Sequence, residues 1–382
     1  MFWTFERRFY GEPNGLDMRS IWQFLMHGYY FIPRTLQQDR YRAVVRTGDV
    51  DAIYDLIDKP FPDVLVAQSP QVRFALHLSG GFDSAILAKL YDSPDADYIH
   101  FRGPESEKAR ALAATLRGRF HELDLSPEAF IDAADELVPQ MPEPYVYEDV
   151  VYAFVASRKA KELGHDLVVT GDGGDGILGG AETGPFSRKA FVIWKTLDPN
   201  GVLGLRTLQP YCHPAIYGWA KACLAPDQRD RRKRFAARFC RELGMPAIVS
   251  EQKKAFWAGA HGTRNNPKVL QHMNAVVDRS DYRCLRNIRF PSEPRDDLPF
   301  RLYGLVRWLE SNHAERLSPA EMREFERAVE GLRGGHELPP ERGLKQLVPP
   351  AALPAFRTVR DMLRRHPSLR RVRDVLRRSA WH

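Results

Sequence analysis

Ser79-Gly80-Gly81-Phe82-Asp83-Ser84 is the stretch whose residue types best suit chemistry on an anion. It follows the apolar run that ends in Leu78 and precedes a helical pattern. Two glycines let the backbone approach a ligand with no Cβ in the way. Their N–H groups, with those of a helix start, can cradle a pyrophosphate. The hydroxyls of Ser79 and Ser84 can donate to phosphate oxygens. Asp83 cannot accept from an ionised phosphate, but its carboxylate suits the Mg²⁺ that travels with one. The plainer alternative is a glycine turn with Asp83 as a helix cap.

A second candidate loop is Thr170-Gly171-Asp172-Gly173-Gly174-Asp175-Gly176, continuing to Gly179-Gly180. Six glycines in eleven residues with two carboxylates, directly after a predicted strand, are unusual. Open α/β sheets bind ligands at the carboxyl ends of their strands. Asp83 and Asp175, from two such ends, are expected to hold Mg²⁺ together. A flexible solvent loop is the alternative. Met141 to Asp149 is polar, aromatic and proline-containing, and Glu143 within it could bind a cationic group or act as a base; a helix lead-in serves equally.

These residues need a scaffold. Phe74–Leu78, Tyr98–Phe101, Phe120–Leu125 and Asp166–Thr170 read as strands. Ala85–Tyr91, Ser106–Arg117, Glu128–Leu137 and Val150–Leu163 read as helices between them. Strands alternating with helices predict an α/β fold with a doubly wound parallel sheet. After about residue 185 the strand signals fade, and 217–241, 268–278, 301–312 and 319–332 read as helical. The expected organisation is an N-terminal arm with helices over 1–70, a synthetase-like domain over 71–348 and a basic helical tail over 349–382. Within that domain the α/β core covers 71–185 and a helical part 186–348.

The two glycine-rich loops together resemble the asparagine synthetase family, within the ATP pyrophosphatases that share the Ser-Gly-Gly-x-Asp-Ser loop. Weaker support comes from Phe24 to Leu36, from Gln252-Lys253-Lys254-Ala255-Phe256, and from Gln209-Pro210-Tyr211. The last looks like a degraded Pro-Phe-Leu-Asp element, with Cys212 and His213 in its final places. The resemblance implies an adenine nucleotide alpha hydrolase-like fold and a ligase that uses ATP and Mg²⁺. Such an enzyme adenylates a carboxylate, releases pyrophosphate and lets ammonia or an amine displace AMP. It further implies that Leu78, Ser79, Gly80, Gly81, Asp83 and Ser84 hold the nucleotide phosphates, with Thr170 and Gly171 near the adenosine. Asp83 and Asp175 would ligate the metal. Asp172 would act as base on the amine, and Lys253 would face developing negative charge. The family usually has Glu at position 172 and after Asp175, where this chain has Asp172 and Gly176, so a product other than asparagine is expected. The family's glutaminase needs Cys as residue 2, where this chain has Phe2, and about 70 residues precede the loop. No glutaminase is therefore expected here, and the related β-lactam synthetases and lasso-peptide cyclases suggest a specialised biosynthetic role.

Composition narrows the classes. The formal net charge of +7 equals the excess of nine arginines over two aspartates from Arg357 to His382. A neutral body with a basic tail argues against a body-wide nucleic-acid footprint, and points to a partner protein or acidic ligand at the tail. A tRNA-modifying enzyme with the same loop, and a non-catalytic partner subunit, are the competing readings. Cys212, Cys223, Cys240 and Cys284 form no CxxC pair and the histidines no HxxxH, so neither zinc nor redox chemistry is suggested. No apolar run approaches the ~20 residues of a membrane span. The start lacks a secretory pattern, so the expected location is cytoplasmic.

Overall fold

The computed structural model describes residues 61–141, 148–174, 191–213, 216, 229–250, 266–287, 298–312, 320, 323 and 326–327. Five strands form one sheet: β1 (Phe74–His77), β2 (Ala96–Phe101), β3 (Arg119–Leu123), β4 (Leu167–Val169) and β5 (Arg206–Leu208). Their order is β3-β2-β1-β4-β5, and every pair is parallel. The chain therefore works outward from β1 to one edge, then returns to fill the other side. The crevice between β1 and β4 is the point where the winding reverses, which is where such sheets bind ligands.

Nine helices lie among the described residues: α1 (Phe61–Ala67), α2 (Phe82–Leu90), α3 (Ser106–Ala113), α4 (Pro127–Leu137), α5 (Glu148–Glu162), α6 (Phe191–Val202), α7 (Arg229–Glu242), α8 (Pro267–Arg279) and α9 (Leu298–Asn312). Their sequences explain their limits and faces. Ser126 caps α4 by accepting the Ala129 N–H at 3.1 Å, and Pro127 opens the helix where its missing N–H costs nothing. Phe130, Ala133, Ala134 and Leu137 then recur at helical spacing and are all buried. Asn266 and Pro267 start α8 in the same way, and Val269, Met273 and Val277 form its buried stripe.

Parallel sheets are covered on both faces, and alternation along the strands assigns each face. Ala75, Ile99, Phe101 and Val168 point into one core with Phe130, Tyr152, Phe154, Phe300, Tyr303 and Trp308. Phe74, Leu76, Tyr98 and Val169 point into the other, with Ile86, Leu87, Tyr211 and Phe239. Helices α4, α5, α8 and α9 supply the first face, and α1, α2, α3 and α7 the second.

The fifth strand is a departure from the expectation that strand signals end near residue 185. It pairs with β4 through Leu167–Arg206, Val168–Thr207 and Val169–Leu208. Helix α6, which feeds it, holds Pro199 in its last turn and carries Asn200, whose amide donates to Thr207 Oγ1 at 2.8 Å. The turn between them closes at Gly204 (φ 72°), with Leu205 N–H reaching back to Asn200 O at 2.8 Å. Residues 1–60 of the expected N-terminal arm, and the basic tail, lie outside the described residues.

Candidate active site

The loop after β1 is built as a cradle. Leu78 N–H still belongs to the sheet, donating to Ile99 O at 2.8 Å. The chain then turns through Gly80 in the left-handed region, at φ 80°. A Cβ there would also lie 2.9 Å from Glu105 Cβ, so only glycine fits. Gly81 caps α2 with no side-chain hydrogen bond, and a helix start of this kind can turn its first amides toward an anion. Ser79 and Ser84 meet across the loop, with 3.0 Å between their hydroxyls, and Ser84 Oγ also accepts the Ser79 N–H at 3.0 Å. The predicted start of this helix at Ala85 moves back to Phe82, which places Asp83 and Ser84 in its first turn.

A buried histidine that sequence reasoning missed sets the height of this loop. His100, on β2, is 2.7 Å from Leu78 O through Nδ1 and 3.1 Å from Ser106 Oγ through Nε2. A carbonyl only accepts, so Nδ1 carries the proton and Nε2 accepts from the serine hydroxyl. Ser106 Oγ in turn accepts Gly103 N–H at 2.8 Å. Burial holds the imidazole below its ordinary pKa, so the neutral ring matches its partners. Beside it, Lys108 and Glu105 form a buried ion pair at 3.1 Å that walls the Gly80 turn.

The loop after β4 packs directly on the first. A Cβ on Gly171 would sit 3.0 Å from Ser84 N, and one on Gly174 would sit 2.5 Å from Asp83 Oδ1. The two glycines are thus the surface against which Asp83 rests. Gly173 (φ 87°) turns the loop, and its position leaves no room beside Cys212 Sγ, 3.0 Å from a would-be Cβ. The Asp172 side chain is anchored between the residue after β4, α6 and the residue after β5. Its Oδ2 accepts from Thr170 Oγ1 at 3.0 Å, from Gln209 Nε2 at 3.2 Å and from Thr196 Oγ1. The carboxylate is 8% exposed and firmly oriented.

A short turn after β5, Pro210–Cys212, closes the arrangement. Tyr211 donates its hydroxyl to Asp83 O at 2.9 Å, and the Cys212 thiol approaches Asp172 O at 3.6 Å. Burial pushes both side chains up, so phenol and thiol keep their protons and serve as donors. The structure therefore brings together Leu78, Ser79, Gly80, Gly81, Asp83, Ser84, Thr170, Gly171 and Asp172. Asp175, Glu143 and Lys253 lie outside the described residues. Thr196, His100 and Ser106 carried no sequence signal, because none lies in a motif and the bonds of Thr196 to Asp172 and of His100 to Leu78 join residues far apart in sequence. Gln209 and Tyr211 were visible only as part of the degraded Pro-Phe-Leu-Asp element.

These residues fit a magnesium nucleotide: a cradle that a Cβ would fill, an uncapped helix start, paired hydroxyls and a carboxylate at the seam. Among the described residues no cluster of three His, Cys, Asp or Glu is arranged for a metal. An asparagine synthase family model matches residues 66–325. The chain belongs to the asparagine synthase family. It is similar to asparagine synthetase [glutamine-hydrolyzing] 3 of Arabidopsis thaliana, at 32% identity over 127 residues, covering 28% of this chain and 22% of that protein. Similarity to asparagine synthetase [glutamine-hydrolyzing] of Zea mays is 31% over 127 residues, with the same coverage. The match thus spans about a fifth of the length of these relatives. The family's α/β synthetase fold is the one observed, with β1 and β4 side by side at its centre. No described helix is long and apolar enough to cross a membrane.

Proposed function

We propose that this chain is an ATP-dependent amide ligase that activates a carboxylate by adenylation, working in the cytoplasm in a specialised biosynthetic pathway. The observation that carries the reading is the interlock of two glycine loops at the β1/β4 crevice, with Asp83 pressed between α2 and Gly174. Ser79, Gly80, Gly81 and the first amides of α2 bind and orient the triphosphate. Asp83, with Asp175, would hold Mg²⁺, whose charge offsets that of the phosphates when bound. A carboxylate oxygen of the acid substrate attacks the α-phosphorus as the bond to pyrophosphate breaks. An amine or ammonia then attacks the acyl carbon, and AMP leaves with the carboxylate oxygen. Asp172 supports this second step. It is the base assigned to the amine proton, and three donors to its Oδ2 orient the carboxylate. Thr170 and Gly171 would lie near the adenosine. Lys253 is assigned to developing negative charge, and Glu143 to a cationic group of the substrate or a further proton transfer. The family resemblance implies glutamate at the place of Asp172, and the shorter side chain supports an acid or amine other than those of asparagine synthesis.

The test is nucleotide product analysis. Purified protein is incubated with MgATP, ammonium and a panel of carboxylates and amines that includes aspartate, beside an Asp83→Ala control. AMP and pyrophosphate, dependent on one acid and absent in the control, are the expected products. ADP and phosphate would overturn adenylation.

A further inference from the structure

We infer that Tyr211 is a positioning residue for Asp83, and that the turn Pro210–Cys212 sets how tightly the two loops close on a metal-bound nucleotide. The inference rests on the reading that Asp83 holds Mg²⁺, and goes beyond it to a residue that touches neither metal nor nucleotide.

The geometry is specific. From four consecutive residues, Gln209 donates to the Asp172 carboxylate, Cys212 approaches the Asp172 carbonyl, and Tyr211 donates to the Asp83 carbonyl at 2.9 Å. One short turn thus grips both loops at once. Asp83 lies in the first turn of α2, where its carbonyl points down the helix toward the amide four residues on. The Tyr211 hydroxyl reaches the same oxygen from outside the helix and fixes that turn sideways. Sideways position matters here because the Asp83 side chain has no slack. A Cβ on Gly174 would fall within 2.7 Å of three of its atoms. A shift of the helix start by a few tenths of an ångström is therefore passed to the carboxylate rather than absorbed. The side chain of Tyr211 is fully buried, so its hydroxyl makes this bond in a site closed to bulk water.

Removal of one oxygen tests it. Tyr211→Phe keeps the ring and its packing, so the melting temperature is expected to stay within a few degrees of the parent. Binding of ATP is followed by calorimetry while Mg²⁺ is titrated, and again without metal. The expected result is a Mg²⁺ midpoint raised about three- to tenfold, what one net hydrogen bond is worth, with metal-free affinity unchanged. Incorporating para-aminophenylalanine at position 211 restores a donor in the same place, and is expected to restore the midpoint. Equal weakening of ATP with and without metal would reduce Tyr211 to a packing residue and overturn the inference. A parental titration for Tyr211→Phe would do the same, provided Asp83→Asn abolishes the Mg²⁺ dependence. Should Asp83→Asn itself titrate like the parent, the metal reading of Asp83 fails, and the inference with it.

Discussion

Gly174 illustrates how little freedom the site leaves at the scale of a residue. Its missing Cβ is the space that Asp83 occupies, since a methyl there would meet Oδ1 at 2.5 Å. Gly174→Ala must displace either the carboxylate or the loop, and overpacking of this kind costs about 1–3 kcal/mol. The displaced atoms are those assigned to the metal, so the cost falls on binding. MgATP affinity is expected to drop about tenfold or more, read by calorimetry, with the melting temperature little changed. Gly171 is a gentler version of the same contact, 3.0 Å from Ser84 N. Asp172 differs from both. Its side chain is held by partners on α6 and after β5 that converge on one oxygen, so its neighbours set the orientation of the carboxylate.

At the scale of elements, β2 and the start of α3 hold the phosphate loop through His100. The ring is kept neutral by burial, with its pKa below the ordinary value. The unfolded chain therefore binds a proton more readily than the folded one. Stability from this group is full above the unfolded pKa and declines as pH falls toward the folded one. Thermal melts are expected to show a loss that sets in below about pH 6.5, and His100→Gln, which has no titrating ring, is expected to flatten that limb. Elements were unevenly legible in the sequence. Strands β1, β2 and β4 stood out as short apolar-rich runs beside turn residues, whereas β3 mixes Phe120 and Leu123 with charged neighbours and was read from its alternation with the helices. Helices α4 and α8 declare themselves by a cap, a proline and a regular apolar stripe. Strand β5 did not, because Arg206-Thr207-Leu208 has only three residues and only Thr207 is buried. Helix α6 was hidden by Pro199, which reads as a breaker although its place near the helix end lets it be tolerated. The two glycine loops were legible as chemistry. Their contact was not, since nothing local records that Gly174 lies on Asp83.

At the scale of the whole molecule, the two ends of the sheet do different work. The carboxyl ends carry the loops. The opposite end carries a buried charge cluster around Asp97, which receives Arg119 through two bonds of 2.9 and 2.6 Å, His165 at 2.6 Å and His121. Burial alone would raise the Asp97 pKa, but these donors outweigh it and hold the carboxyl well below its usual range. The stability it contributes is complete above the unfolded carboxylate pKa and is lost as pH falls below about 4. Asp97→Asn leaves the buried His165, and the more exposed Arg119 and His121, facing a neutral amide in a buried position. A loss of about 3 kcal/mol is expected in denaturant titrations at neutral pH, with nucleotide affinity of the folded protein unchanged. The strand order has a further consequence, for synthesis on the ribosome. β1 pairs with β2 soon after both emerge, but its other edge waits for β4, whose Val168 pairs with Ala75. Until that late strand leaves the exit tunnel, Phe74, Ala75 and Leu76 present an apolar strand with one side of its hydrogen-bonding groups unmet, the kind of edge that invites association with other nascent chains. The crevice that would receive the nucleotide is thus also a seam that closes only after β2 and β3 are in place, and a chaperone that shields β1 would guard the future active site.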